Sequence, residues 1–322
     1  MSKKILVIRF SSIGDIVLTT PVVRCLHEQL NAEVHVITKE GFAGIYRANP
    51  HVAKVISIRS NVAEVEAVLK AEKYDAIVDL HNNIRSFQVK RICVNAVCHS
   101  FPKLNVEKWL YVKWRIGKLP DLHIVDRYFK AAEFLGVKND GKGLDYFIPS
   151  NDVVDVKSLP INFQNGFVAV TAGAKFATKE MPLEKMIAVI NHLNIPVVLL
   201  GGPDDAAKGN AIAESCGDKV FNACGKYNLS QSASLLQQSS YVIAHDTGMM
   251  HIAAAFGKKI ISVWGNTVPE LGMYPYLPGE GSRLIQVNNL KCRPCSKIGY
   301  MECPKGHFRC MNDIPLSAFD VD

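Results

Sequence analysis

Short β-branched runs alternate with stretches of helical apolar periodicity along most of the chain, a pattern that predicts parallel strands joined by helical crossovers. Residues 4–9 (KILVIR) form the first run, residues 10–14 a loop, and residues 15–30 an apolar-periodic stretch that predicts a helix. Further runs lie at 33–38, 54–57, 76–79 and 96–99, with helical patterns between several of them, as at 61–71. The alternation pauses over 149–166, a segment rich in Asp, Asn and Ser with prolines at 149 and 160, which reads as a linker. It resumes with runs at 167–171, 196–201, 241–244 and 259–264, and with helices from about 182, 204 and 247. The expected fold class is α/β: two doubly wound domains, 1–160 and 161–322, with a cleft between them. Ligands in such sheets bind beyond the carboxyl ends of the strands, so the loops there are the places to look for chemistry.

Composition narrows the class. The 322 residues are 48% hydrophobic and 21% charged, which excludes collagen-like, disordered and low-complexity chains. No apolar run approaches the ~18 residues of a membrane span. In the opening MSKKILVIR, Arg9 puts a charge where a signal peptide needs its apolar stretch to continue, so export is not expected. Nine cysteines, an odd number, do not form a secreted disulfide scaffold, and a reducing cytoplasm is expected. The net charge of +7 is concentrated in residues 1–150, which hold 22 Lys and Arg against 15 Asp and Glu. Such a field suits an anionic partner or serves only as a solubilising surface.

Six segments carry candidate chemistry. In the loop 10–15, Asp15 opens the predicted helix and serves either as its N-cap or as a general base. No G-x-G-x-x-G occurs, which argues against a dinucleotide dehydrogenase. Residues 171–182 place small residues, Lys175 and Lys179 after a strand, either a diphosphate cradle or a solvated polar turn. In 201–205 (GGPDD), Asp205 either caps a turn or binds sugar hydroxyls. The most specific segment is 244–255 (AHDTGMMHIAAA): Asp246, Thr247 and Gly248 form a helix start suited to an anion, and His251 lies one turn further on. Residues 103–118 interleave Lys103, Lys108, Lys113, Arg115 and Lys118 with Trp109, Tyr111 and Trp114. They suit an anionic amphiphile or membrane interface, or a core-facing helix with solvated lysines. No helix-turn-helix, zinc-finger or RNP signature points to nucleic acid. Finally, Cys292, Cys295, Cys303 and Cys310, with His307 among them, are compatible with a structural zinc or with buried thiols.

Together these stretches resemble the ADP-heptose:lipopolysaccharide heptosyltransferases, glycosyltransferase family 9. The likeness rests on KILVIRFSSIGDIVLTTPVVRCL, TKEMP, LLGGPDD, HDTGMMHIAAA and CRPC…CPKGHFRCM. It implies the glycosyltransferase-B fold, two facing Rossmann-like domains with acceptor on the first and nucleotide-sugar on the second. It also implies inverting transfer with no cofactor for catalysis, on an ADP-sugar donor and an anionic lipopolysaccharide-core acceptor. The enzyme would be cytoplasmic, in peripheral contact with the inner membrane, with Lys108, Lys113 and Arg115 facing the acceptor or the membrane. By motif position Asp15 would be the catalytic base and Lys179 would neutralise the leaving diphosphate. Asp246, Thr247 and Gly248 would bind donor phosphates and sugar, with His251 supporting that loop and Asp205 touching donor hydroxyls. Relatives commonly carry Trp where this chain has Met181, so packing of the adenine or sugar there would differ. The one Asp-x-Asp, at 320–322, is a poor metal site at the chain end. A nucleotide-sugar epimerase on the same scaffold, and a non-catalytic nucleotide-sugar or lipid-binding protein, are the competing readings.

Overall fold

The computed structural model describes residues 2–117 and 119–321, so Lys118 and Asp322 lie outside the described residues. Two all-parallel sheets organise the chain. The first contains β1 (Lys4–Ile8), β2 (Glu33–Lys39), β3 (Lys54–Ile58), β4 (Ala76–Asp79) and β5 (Val97–Ser100), in the order β3-β2-β1-β4-β5. The second contains β6 (Val168–Thr171), β7 (Val197–Leu200), β8 (Val220–Asn222), β9 (Val242–His245), β10 (Ile260–Trp264) and β11 (Arg283–Gln286), in the order β11-β10-β9-β6-β7-β8. Every residue of β6, β7, β9 and β10 is buried. Parallel strands covered on both faces need such uninterrupted apolar runs.

The strand orders locate the chemistry. In the first sheet the chain winds outward from β1 to β3, then returns to place β4 on the other side of β1. In the second it winds from β6 to β8 and returns to place β9 beside β6. The crevices outside the carboxyl ends of β1 and β4, and of β6 and β9, are therefore the topological switch points at which such sheets bind ligands.

The chain divides into two compact units, one of residues up to Leu104 with Leu122–Phe147, the other of Asn105–Asp121 with Ile148 onward. The expected boundary at residue 160 falls inside the second unit. The polar segment 149–166 is packed against that unit, not a free linker. Val154 N–H donates to Ser234 Oγ (3.0 Å), its carbonyl accepts from Gln238 Nε2 (2.9 Å), and Phe163 is buried. Part of the basic excess also belongs to the second unit, since Lys108, Lys113 and Arg115 lie in Asn105–Asp121.

The helix expected over 15–30 is two helices, Ile13–Val17 and Thr20–Leu30. Pro21 in the first turn of the second cannot donate a helical hydrogen bond, so a new helix starts there. No helix among the described residues is long and apolar enough to cross a membrane.

Candidate active site

In the first unit the loop after β1 is organised around Arg9. Its buried guanidinium donates to Ser11 O (2.7 Å), Leu80 O (2.6 Å) and Tyr128 Oη (3.0 Å). The remaining amine, Nη2, lies 2.7 Å from Asp15 Oδ1. The other carboxylate oxygen accepts from Ser12 N–H (3.2 Å) and Ser12 Oγ–H (2.8 Å). Ser12, not Asp15, is the N-cap of Ile13–Val17, and Asp15 occupies the third helical position, reaching back as capping boxes do. The Asp15 side chain is 25% exposed. It is thus an oriented carboxylate, open to solvent, at the β1/β4 switch point.

Across that point, the loop after β4 brings in His81, which the sequence reading did not single out. Asp79 Oδ1 accepts from His81 N–H (3.0 Å) and Asn82 N–H (2.7 Å) and so shapes the loop. Phe10 N–H donates to His81 Nδ1 (3.3 Å), leaving the proton on Nε2. Burial, together with Arg9 and Lys103 nearby, pushes the imidazole down to about 4, so it is neutral at physiological pH.

In the second unit two loops converge at the β6/β9 switch point. Lys179 Nζ lies 2.6 Å from Asp246 Oδ2 and donates to the Asp246 carbonyl (3.3 Å). Thr267 Oγ1 donates to the same carboxylate oxygen (3.0 Å). Asp246 is followed by Thr247, the N-cap of the helix Gly248–Ala255. The Thr247 hydroxyl makes no side-chain capping bond to that helix, and its buried oxygen has no partner. Helix-start N–H groups carry partial positive charge, and the Lys179 ammonium offsets the Asp246 carboxylate beside them, so the helix start keeps its attraction for an anion. His251 is buried in that helix.

The loop bearing Lys179 is held by residues the sequence did not mark. His245, at the end of β9, accepts from Met181 N–H through Nε2 (3.0 Å), and burial pushes its pKa down to about 3, keeping it neutral for this role. Glu180 bridges Ala174 N–H (2.8 Å) and Lys208 Nζ (2.9 Å). The Met181 side chain is 1% exposed and belongs to the hydrophobic core. A thioether beside β6 and β7 packs better in the core than in a polar loop.

Asp205 accepts from Gly202 N–H (2.8 Å) and is wedged between Gly173 and Gly201. A Cβ on Gly173 would fall 1.8 Å from Asp205 Oδ1. Burial raises the Asp205 carboxyl above its usual value. Gly173→Ala is expected to displace Asp205, destabilise the fold by about 1–3 kcal/mol and weaken nucleotide binding. Calorimetric titration with ADP checks this, and unchanged affinity would detach Asp205 from the site.

The four cysteines are free thiols. Cys295 Sγ–H donates to the Cys292 carbonyl (3.0 Å), and Cys292 Sγ is 3.9 Å from His307 Nε2. Burial, with the neighbouring cysteines adding to it, pushes Cys295 up to about 11 and Cys310 up to about 12. Among the described residues, no three of these side chains bring ligand atoms within 4.8 Å of one another. As placed, they do not fit a tetrahedral zinc, whose ligand atoms must converge. Their segment instead buttresses the loops at the β6/β9 switch point. Tyr300 exchanges main-chain and hydroxyl hydrogen bonds with Thr178 (2.8–3.1 Å), and Arg293 donates to the carbonyls of Trp264, Gly265 and Thr267. The one potential ligand triad among the described residues, Glu33, His35 and Glu72, is already served by ammonium groups: Lys4 and Lys54 lie 2.7 and 2.6 Å from Glu72.

Arg115, expected to face an acceptor or membrane, donates to the carbonyls of Cys292 (3.2 Å) and Pro294 (2.9 Å). It pins the helix Asn105–Trp114 to the cysteine-bearing segment. Lys113 is exposed and Lys108 partly so.

Comparison with known proteins gives these sites a context. Residues 62–304 match the family model described as glycosyltransferase family 9 (heptosyltransferase), a range that begins after Asp15. The lipopolysaccharide core heptosyltransferase OpsX of Haemophilus influenzae is 23% identical over 85% of this chain and 82% of its own length. Lipopolysaccharide heptosyltransferase 1 of Escherichia coli is 24% identical over 83% of this chain and 89% of its own. Among solved structures, the ADP-heptose lipopolysaccharide heptosyltransferase II of E. coli superposes with a TM-score of 0.69 at 20% identity, covering 96% of this chain and 98% of that one. The two parallel sheets are those of the glycosyltransferase-B fold.

Proposed function

Because the chain belongs to glycosyltransferase family 9, the heptosyltransferases, we propose that it moves a heptose or related sugar from an ADP-sugar to the lipopolysaccharide inner core. The observation that carries this reading is the Lys179 ammonium held 2.6 Å from Asp246 at the start of the helix Gly248–Ala255. A nucleoside diphosphate leaving group departs with developing negative charge, and an ammonium beside bare helix N–H groups stabilises that charge. Asp15 supplies the other half of the reaction. The acceptor hydroxyl gives its proton to the carboxylate as its oxygen bonds to the anomeric carbon. The bond from that carbon to the diphosphate breaks, and a single displacement of this kind inverts the anomeric centre. No step calls on a metal, because the charge is met by Lys179 and the helix start. Zinc on Cys292, Cys295, Cys303 and Cys310 forms no part of the reading.

The acceptor in this reading is an anionic lipid-linked saccharide, which suits the basic excess of the unit that carries Asp15, and the enzyme then works at the inner face of the cytoplasmic membrane. Thermal-shift screening against ADP-, UDP- and GDP-sugars tests the donor assignment. An ADP-sugar at a hundred times its Kd is expected to stabilise the fold by about 2.7 kcal/mol, with UDP- and GDP-sugars giving little. Equal stabilisation by all three would overturn the ADP assignment. Epimerised sugar formed with no acceptor present would overturn the transferase.

A further inference from the structure

Outside the two switch points, one surface of the second unit combines exposed aromatic, aliphatic and basic side chains. Among the described residues sixteen large hydrophobic side chains are exposed, and seven of them lie on two short segments, 106–116 and 298–301. Trp109 is 52% and Trp114 58% exposed, whereas Trp264 is fully buried. Ile298 and Met301 are 58% and 68% exposed. The helix Asn105–Trp114 buries no residue at all. The two segments are neighbours: Asn105, Val106, Trp109 and Lys297 line one open depression, and Arg115 ties the helix end to Cys292 and Pro294.

Charge distinguishes this face from an ordinary apolar patch. Residues 105–117 and 291–309 hold eight Lys and Arg against only Glu107 and Glu302. The field therefore favours an anionic partner. Protein interfaces enrich Trp, Tyr and Met but deplete Lys at their centres. Tryptophan and isoleucine among lysines are instead the composition of surfaces that lie in a bilayer headgroup region, where indole rings sit at the apolar boundary and ammonium groups reach lipid phosphates. We propose that the helix Asn105–Trp114 and the 298–301 loop form a docking surface for an anionic phospholipid bilayer, with Trp109, Trp114, Ile298 and Met301 entering the headgroup layer and Lys113 and Lys297 pairing with phosphates. The surface rests on the transferase reading in one respect: it is where such an enzyme meets the membrane that carries its lipid-linked acceptor.

Sedimentation of the full-length protein with vesicles tests this. The protein is expected to pellet with vesicles of phosphatidylethanolamine and phosphatidylglycerol, to release as salt screens the lipid charge, and to ignore vesicles of phosphatidylcholine alone. The double substitution W109A/W114A is expected to weaken binding by about tenfold or more. K113A/K297A is expected to weaken it by about tenfold on the anionic vesicles. Both variants should keep the wild-type thermal stabilisation by ADP-sugar, which shows that they fold. Failure of the wild-type protein to pellet with anionic vesicles, or wild-type binding by W109A/W114A, overturns the proposal. So does a dimer in light scattering that W109A/W114A dissociates, since a second copy would then cover the face. A protein that binds ADP-sugar but no vesicle sinks the docking surface alone, and one that docks but is stabilised by no nucleotide-sugar sinks the transferase reading alone.

Discussion

Asp15→Asn is expected to leave ADP-sugar binding unchanged and to lower turnover at least about a hundredfold. The substitution preserves shape. An amide oxygen can still accept from Arg9 Nη2, and the amide N–H2 can donate to Ser12 Oγ, with only the 3.2 Å bond from Ser12 N–H lost. What disappears is the capacity to take a proton. The buried Arg9 guanidinium, 2.7 Å from Asp15 Oδ1, holds the carboxylate in place. Both carboxylate oxygens are fixed by named donors, so the side chain loses little freedom on binding acceptor. Steady-state transfer assays beside donor thermal shifts provide the check. Turnover equal to wild type would remove Asp15 from the mechanism.

How much of this was legible in the sequence depends on the range over which each signal acts. The strands β1, β6, β9 and β10 were readable because a strand buried on both faces must be a continuous apolar run. The strand β8 (VFN) is too short to make such a run, and β11 (RLIQ) is an edge strand with Arg283 and Leu284 exposed, so neither stood out. The break between the helices Ile13–Val17 and Thr20–Leu30 was hidden because Ile16, Val17, Leu18, Val22 and Val23 are all buried and keep the apolar pattern running through it. Polar composition over 149–166 concealed Val154 and Phe163, whose burial fastens the segment down.

The site divides along the same line. Asp15, Lys179 and Asp246 belong to local motifs, and the structure puts each at a switch point, with Lys179 and Asp246 in direct contact. Arg9, His81 and His245 escaped notice because their roles depend on partners remote in sequence. Arg9 meets Tyr128, and His245 meets Met181. Met181 lies in a motif, yet its side chain fills the core. Motif position identifies which backbone segment lines a site, not which way each side chain on it turns.

Lys179→Ala is expected to cost at least about a hundredfold in turnover, and about tenfold or more in ADP affinity. Two effects add. The ammonium that meets the developing charge of the leaving diphosphate is gone, and the Asp246 carboxylate, 9% exposed, is left without its 2.6 Å partner. A buried carboxylate so stranded repels the anion that the helix start would otherwise attract. The second effect can be isolated. In the double variant K179A/D246N the stranded charge is absent, so ADP should bind more tightly than to K179A alone, while turnover stays low for want of the ammonium. Calorimetric titration of ADP across wild type, both single variants and the double variant closes the cycle. If K179A/D246N binds ADP no better than K179A, Asp246 does not act on the diphosphate through its charge, and its task is confined to holding Lys179 and Thr267 in place.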